Sequence, residues 1–183
     1  MKYPSRRKFL QKAALASTGI ALLSNTQFAN AFSFTNCPFE GYNSYAEEKN
    51  DLRNPLLSGK QISIKGQIFD KTGTNLLPNV CIEVWHLSPN SKNYKHRAKL
   101  KTDTKGNYHL ITDFPNKEYG KSSRIYFKIS NSETYYFTEL VINSTGAHIT
   151  DKHWHDNQLL DQHLFPITEE FENSSSITFN ISL

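Results

Sequence analysis

The sequence predicts an all-β protein, an antiparallel β-sandwich, on three observations. Short runs alternate apolar and polar residues with a period of two. Turn residues separate those runs, and no stretch sustains a 3.6-residue apolar period. The 12 Phe, 9 Tyr and 2 Trp supply enough large side chains for one core, which excludes an intrinsically disordered chain.

The elements follow in order. Residues 32–60 are polar and irregular, punctuated by Pro38, Gly41, Pro55 and Gly59, and form an arm rather than a domain. The sandwich occupies 61–183. Ile62, Ile64, Gly66 and Ile68 alternate with polar residues as a half-buried strand, ended by the turn Asp70-Lys71-Thr72-Gly73. A second strand covers 80–87, with Val80, Ile82 and Val84 on one face. The turn Lys105-Gly106-Asn107 enters a strand over 108–112, and further strands cover 124–130, 135–142 and 177–182. The one place for a helix is 151–164, and its pattern is poor.

Residues 1–31 have the form of an export signal. Ser5-Arg6-Arg7-Lys8-Phe9-Leu10 precedes an apolar stretch over 13–23, and Ala29-Asn30-Ala31 has the small-x-small form of a cleavage site. The paired arginines resemble a twin-arginine signal. Cleavage there leaves a mature chain beginning near Phe32, in the periplasm or outside a bacterium; an uncleaved N-terminal anchor is the other reading. No segment after Leu23 is long and apolar enough to span a bilayer.

The whole chain has a formal charge of +4. The leader holds five bases and no acid, so 16 basic and 17 acidic side chains remain beyond it. A nearly neutral mature chain lacks the footprint of a nucleic-acid binder. Cys37 and Cys81 could pair in an oxidising compartment, or Cys81 could serve as a small core hydrophobe. The sequence has no CxxC and no Cys/His zinc spacing.

Several blocks carry a family resemblance. Lys65-Gly66-Gln67-Ile68-Phe69-Asp70 leads through Pro78-Asn79-Val80 into Glu83-Val84-Trp85-His86; Asn93-Tyr94, Thr102-Asp103-Thr104-Lys105-Gly106 and Phe114-Pro115 follow. With Cys37-Pro38-Phe39-Glu40-Gly41-Tyr42 and Asp51-Leu52-Arg53 upstream, this order resembles the intradiol ring-cleavage dioxygenases, the catechol and protocatechuate dioxygenases. The resemblance covers about residues 37–142. It implies a prealbumin-like sandwich and O2-dependent opening of a catechol-type ring. It also implies a non-haem Fe(III) held by two tyrosinates, hard anionic ligands that suit the ferric ion, and two neutral imidazoles. Trp85, Asp103 and Gly106 also have plain structural explanations, as a core aromatic and a hairpin turn.

Carried over residue by residue, the first tyrosine ligand falls on Tyr94. The second falls near Tyr119, in a loop over 115–119 that is one residue longer than the family spacing. The histidines should come from a His-Ile-His-Phe strand, which here reads Arg124-Ile125-Tyr126-Phe127. Both imidazoles are lost. Guanidinium has no lone pair to donate, so Arg124 is no ligand. A cation 4 Å from Fe(III) would be opposed by roughly 12 kcal/mol, three times the unit-charge value at an effective dielectric of 20. A third tyrosinate, from Tyr126, would offset the charge. The candidate set is therefore Tyr94, Tyr119 and Tyr126 for metal, with Arg124 on the substrate side.

Other histidines offer less. His153-Trp154-His155 has the spacing that puts two imidazoles on one strand face, a possible metal pair or an exposed polar loop. His86 and His96 suit local hydrogen bonds, and His109 a surface position. There is no Gly-x-Ser-x-Gly and no phosphate-binding glycine loop. Three functions stay open: an iron dioxygenase with rearranged ligands, a binding protein for small aromatic or anionic molecules, and a structural domain.

Overall fold

A computed structural model describes residues 37–183. The leader, its cleavage site and residues 32–36 of the arm lie outside the described residues. Among the described residues, ten strands form two five-stranded sheets. The first contains β1 (Gln61–Phe69), β4 (Asn107–Asp113), β8 (Ile167–Glu170), β9 (Ser174–Thr178) and β10 (Ile181–Ser182). The second runs in the order β3 (His96–Lys101), β2 (Cys81–His86), β5 (Ser123–Ser130), β6 (Tyr135–Asn143) and β7 (Gly146–Ile149), antiparallel throughout. The first sheet is mixed: β1 pairs antiparallel with β4 but parallel with β9 and β10.

The period-two pattern sets the core. Ile62, Ile64 and Ile68 of β1 are fully buried, as are Ile125, Phe127 and Ile129 of β5 facing them. Each such side chain contributes about 2 kcal/mol by leaving water. Phe127 and Phe179 meet between the sheets, centroids 5.4 Å apart.

The predicted strand over 177–182 is two strands, because the chain changes its contact with β1 at Phe179. There the Phe179 carbonyl accepts from the buried Tyr108 hydroxyl at 2.6 Å. It lies so close to Gly66 that a Cβ on that glycine would sit 1.8 Å from the carbonyl oxygen. This explains a glycine inside a strand. Gly66→Ala is expected to destabilise the domain by about 3 kcal/mol, read from the urea midpoint.

The arm covers open edges. Lys49 N–H donates to Lys99 O on β3, and Leu52 N–H to Ile111 O on β4, so one segment bridges the edges of both sheets. Buried Leu52 fixes it there.

The segment after β7 corrects the strand reading of His153 and His155. It forms a helix, α1 (Asp151–Asn157), capped by Thr150 Oγ1 and continued by a 3-10 stretch over Gln158–His163. On a helix, residues two apart point about 200° from each other, so the pair cannot share a face. His153 is fully buried, with Nδ1 2.7 Å from Thr138 Oγ1, and His155 is exposed. Asn157 secures the helix by accepting from Ser182 N and Oγ.

Two imidazoles are thus buried in neutral form. Burial pushes His86 down to about 3 and His153 down to about 4. The unfolded chain binds protons on these histidines from about pH 6.5 downward while the native state does not. Their contribution is complete above pH 6.5 and is lost as pH falls toward 4. Urea unfolding at pH 5 should show about 2 kcal/mol less stability per histidine than at pH 7.5. His153→Gln should remove about half of that slope.

Candidate active-site cleft

The cleft lies on the outer face of the second sheet. Cys81, Glu83 and Trp85 of β2 point outward, as do Arg124, Tyr126 and Lys128 of β5, in a register that sets Trp85 opposite Tyr126. The arm folds over this face. Phe39 stacks on Tyr126 at 4.8 Å, Tyr42 packs on Trp85 at 5.2 Å, and Trp85 Nε1–H donates to Glu40 O at 2.8 Å. Below this aromatic layer, buried Glu83 pairs with Lys128 at 2.8 Å and accepts from the Tyr42 hydroxyl at 3.0 Å. Cys37 and Cys81 are both free thiols, and Cys37 Sγ donates to Phe39 O.

Tyr94 and Tyr126 come together. Their hydroxyls both donate to one carboxylate oxygen, Glu118 Oε1, at 2.9 and 3.0 Å. The other oxygen, Oε2, takes Lys121 Nζ at 2.5 Å. Burial first, and the Glu118 carboxylate second, push both phenols well above the ordinary tyrosine range. The Lys121 ammonium, aided by the two hydroxyls and against burial, holds Glu118 below the usual carboxylate range. The residues present a carboxylate that keeps two neutral phenols protonated.

Tyr119 is not brought to this point. It directly follows Glu118 on the same loop and is fully exposed, beside Gly120. Arg124 points to Glu139 on β6, Nη1 to Oε2 at 2.5 Å, which raises its pKa further. Its buried Nε has no hydrogen-bond partner. Arg124 and Tyr126 face Glu118 across a narrow recess lined also by Leu87 and Asn116. The open cleft in front, of about 730 Å³, is lined by Glu40, Lys92, Tyr94, Lys117, Glu118 and Tyr119.

Sequence reasoning missed Glu118. Its signal was the extra residue in the loop over 115–119, which places a carboxylate one step before the tyrosine assigned as ligand. His86 and His96 do make local hydrogen bonds: His86 to Leu87 O and Thr112 Oγ1, His96 to Ser88 Oγ and Asp113 Oδ2. Exposed His109 meets Ser63 Oγ at 2.9 Å.

Solved structures decide the fold. The dioxygenase domain of a dioxygenase carbohydrate-binding protein fusion from Streptomyces sp. SirexAA-E superposes with a TM-score of 0.60 at 17% identity, over 79% of this chain and 94% of that one. The chain has the intradiol-dioxygenase fold. An intradiol ring-cleavage dioxygenase from Tetranychus urticae gives 0.59 at 8% identity, over 77% of this chain and 88% of that one. For 3-chlorocatechol 1,2-dioxygenase from Rhodococcus opacus 1CP the values are 0.58 and 16%, over 77% and 68%. No protein-family model matches the sequence, and no curated protein is similar to it.

The intradiol fold implies a ferric ion, and the side chains of this cleft do not fit the two-tyrosinate, two-imidazole set. By the sequence resemblance the two imidazole positions fall on Arg124 and Tyr126, neither of which is an imidazole. In the structure Tyr119 faces solvent, and Tyr94 and Tyr126 converge on Glu118. Among the described residues no three His, Cys, Asp or Glu side chains cluster in metal-binding geometry.

Proposed function

We propose that this intradiol-fold domain binds a small hydroxylated aromatic molecule in the cleft beside Glu118, without the ferric ring cleavage of the enzymes that share its fold. One observation carries the proposal: the carboxylate already receives two phenolic hydroxyls, at 2.9 and 3.0 Å, in a half-buried setting. Ionised carboxylate has about four acceptor positions. Tyr94 and Tyr126 take two and Lys121 a third, which leaves Oε2 able to accept a hydroxyl from a catechol-type ring. The Tyr94 and Tyr119 rings offer flat faces beside it, and Lys92 and Lys117 offer cations for an acidic substituent. Arg124 is neutralised by Glu139, so it serves the recess rather than a ligand carboxylate.

Calorimetric titration with catechol tests this. Binding in the micromolar range or weaker, unchanged by an iron chelator and with no ring-opened acid formed under air, is the expected result. Absence of binding would overturn it.

The paired Arg6-Arg7, the apolar stretch and Ala29-Asn30-Ala31 support a second part of the proposal. The chain is exported to the periplasm or beyond, with 1–31 removed, 32–60 as arm and 61–183 as sandwich. Protein recovered from outside the cytoplasm should begin at Phe32 by N-terminal sequencing. Recovery only with membranes and with the leader intact would contradict export with cleavage.

A further inference from the structure

The connection between β2 and β3 carries Tyr94 into the cleft, and Ser88 closes it. Ser88 N–H donates to Asn93 O at 2.9 Å, and Ser88 Oγ accepts from Lys95 N–H at 3.1 Å. The same Oγ lies 2.8 Å from His96 Nδ1. Across the ring, His96 Nε2 lies 2.8 Å from Asp113 Oδ2, at the end of β4 in the opposite sheet. Asp113 Oδ2 also accepts from Asn54 N–H of the arm at 2.8 Å. Ser88, His96 and Asp113 are all buried.

The partners assign the direction of every bond. A carboxylate only accepts, so His96 Nε2 carries the proton; in the neutral ring Nδ1 then accepts from the Ser88 hydroxyl. That leaves the Ser88 lone pairs for Lys95 N–H. Beside it His86 stacks at 4.9 Å in the opposite tautomer, Nδ1–H donating to Leu87 O and Nε2 accepting from Thr112.

The order Ser–His–Asp is that of a hydrolase, but here the serine oxygen already holds a backbone amide and anchors a loop. We propose that Ser88, His96 and Asp113 are a positioning relay that locks Tyr94 at Glu118 by tying its loop across both sheets. Two further contacts complete the clamp. Gly41 backs the Tyr94 ring so closely that a Cβ there would lie 2.1 Å from it, and Glu118 holds the hydroxyl. A buried hydrogen-bonded network adds little net stability over an apolar replacement of the same shape, so position is what this one provides. A slip of about 1 Å at Tyr94 would break its 2.9 Å bond to Glu118. The consequence for affinity rests on the binding function proposed above; the effect on Tyr94 does not.

The test labels the domain with 3-fluorotyrosine and compares Ser88→Ala, His96→Gln and Asp113→Asn, with the Tyr94 resonance assigned through Tyr94→Phe. The expected result is a shifted, broadened Tyr94 signal with Tyr108 unmoved, and catechol binding weakened about tenfold, the worth of one lost hydrogen bond. Ser88→Ala removes only a hydroxyl, so it keeps the test decisive if Asp113→Asn fails to fold. A Tyr94 signal unmoved in every folded variant overturns the relay. A moved Tyr94 signal in a protein that binds no catechol supports the relay and overturns the binding function.

Discussion

Glu118→Gln should reduce catechol affinity by about 100-fold or more. Hydrogen bonds to an ionised acceptor are worth about 1.5–3 kcal/mol each, and the glutamine loses that charge. With its carbonyl kept toward Tyr94 and Tyr126, the amide would turn its NH2 toward the Lys121 ammonium and the position offered to catechol, where no acceptor would remain. With the carboxylate gone, the largest cause after burial that raises the phenols disappears while burial stays. Both tyrosines should therefore titrate at lower pH, read by absorbance near alkaline pH, alongside calorimetry with catechol. Lys121, itself largely exposed, loses its charged partner, with little effect on stability. Glu139→Gln is the matched comparison. It disturbs Arg124 behind the recess and should weaken binding far less.

Trp85→Ala is expected to lower stability by about 4 kcal/mol, the loss typical of removing a fully buried large aromatic. The effect should exceed simple cavity formation, because Trp85 also holds the arm through Glu40 O, Phe39 and Tyr42. Limited proteolysis should then cut before Leu52 in the variant while sparing the wild type. Trp85→Phe keeps much of the packing and loses the indole bond, so its deficit should be about 1 kcal/mol larger than packing alone explains. Urea unfolding of both variants measures the difference.

Much of the sandwich was legible because β1 and β6 are half-buried and alternate, while β2 and β5, covered on both faces, still place Ile82 and Val84, and Ile125, Phe127 and Ile129, at every second position. β3 was not: its sequence His-Arg-Ala-Lys-Leu-Lys shows only Ala98 and Leu100 as apolar, and its buried His96 is held by Ser88 and Asp113, a contact no local pattern announces. The helix over Asp151–Asn157 falls in the one place the sequence offered for it, yet its local pattern was poor for the same reason. Seven residues have little intrinsic stability, and buried His153 and Asn157 hold it through distant partners. In the cleft, Tyr94 and Tyr126 were reached through the family resemblance, and the structure brings their hydroxyls to one carboxylate. The carboxylate between them was hidden, because a one-residue lengthening of a loop decides whether position 118 or 119 faces inward. Arg124 was visible, but its pairing with Glu139 depends on the β5–β6 register.

The most direct test of the central claim, that Tyr94 and Tyr126 converge on Glu118 and not on a ferric ion, is metal content with a visible absorption spectrum. The protein should be purified from iron-replete cells. The expected result is a colourless protein with far less than one iron per chain that still binds catechol. One iron per chain with a broad visible tyrosinate band, bleached by Tyr94→Phe, would contradict it and return Tyr94 to the role of metal ligand.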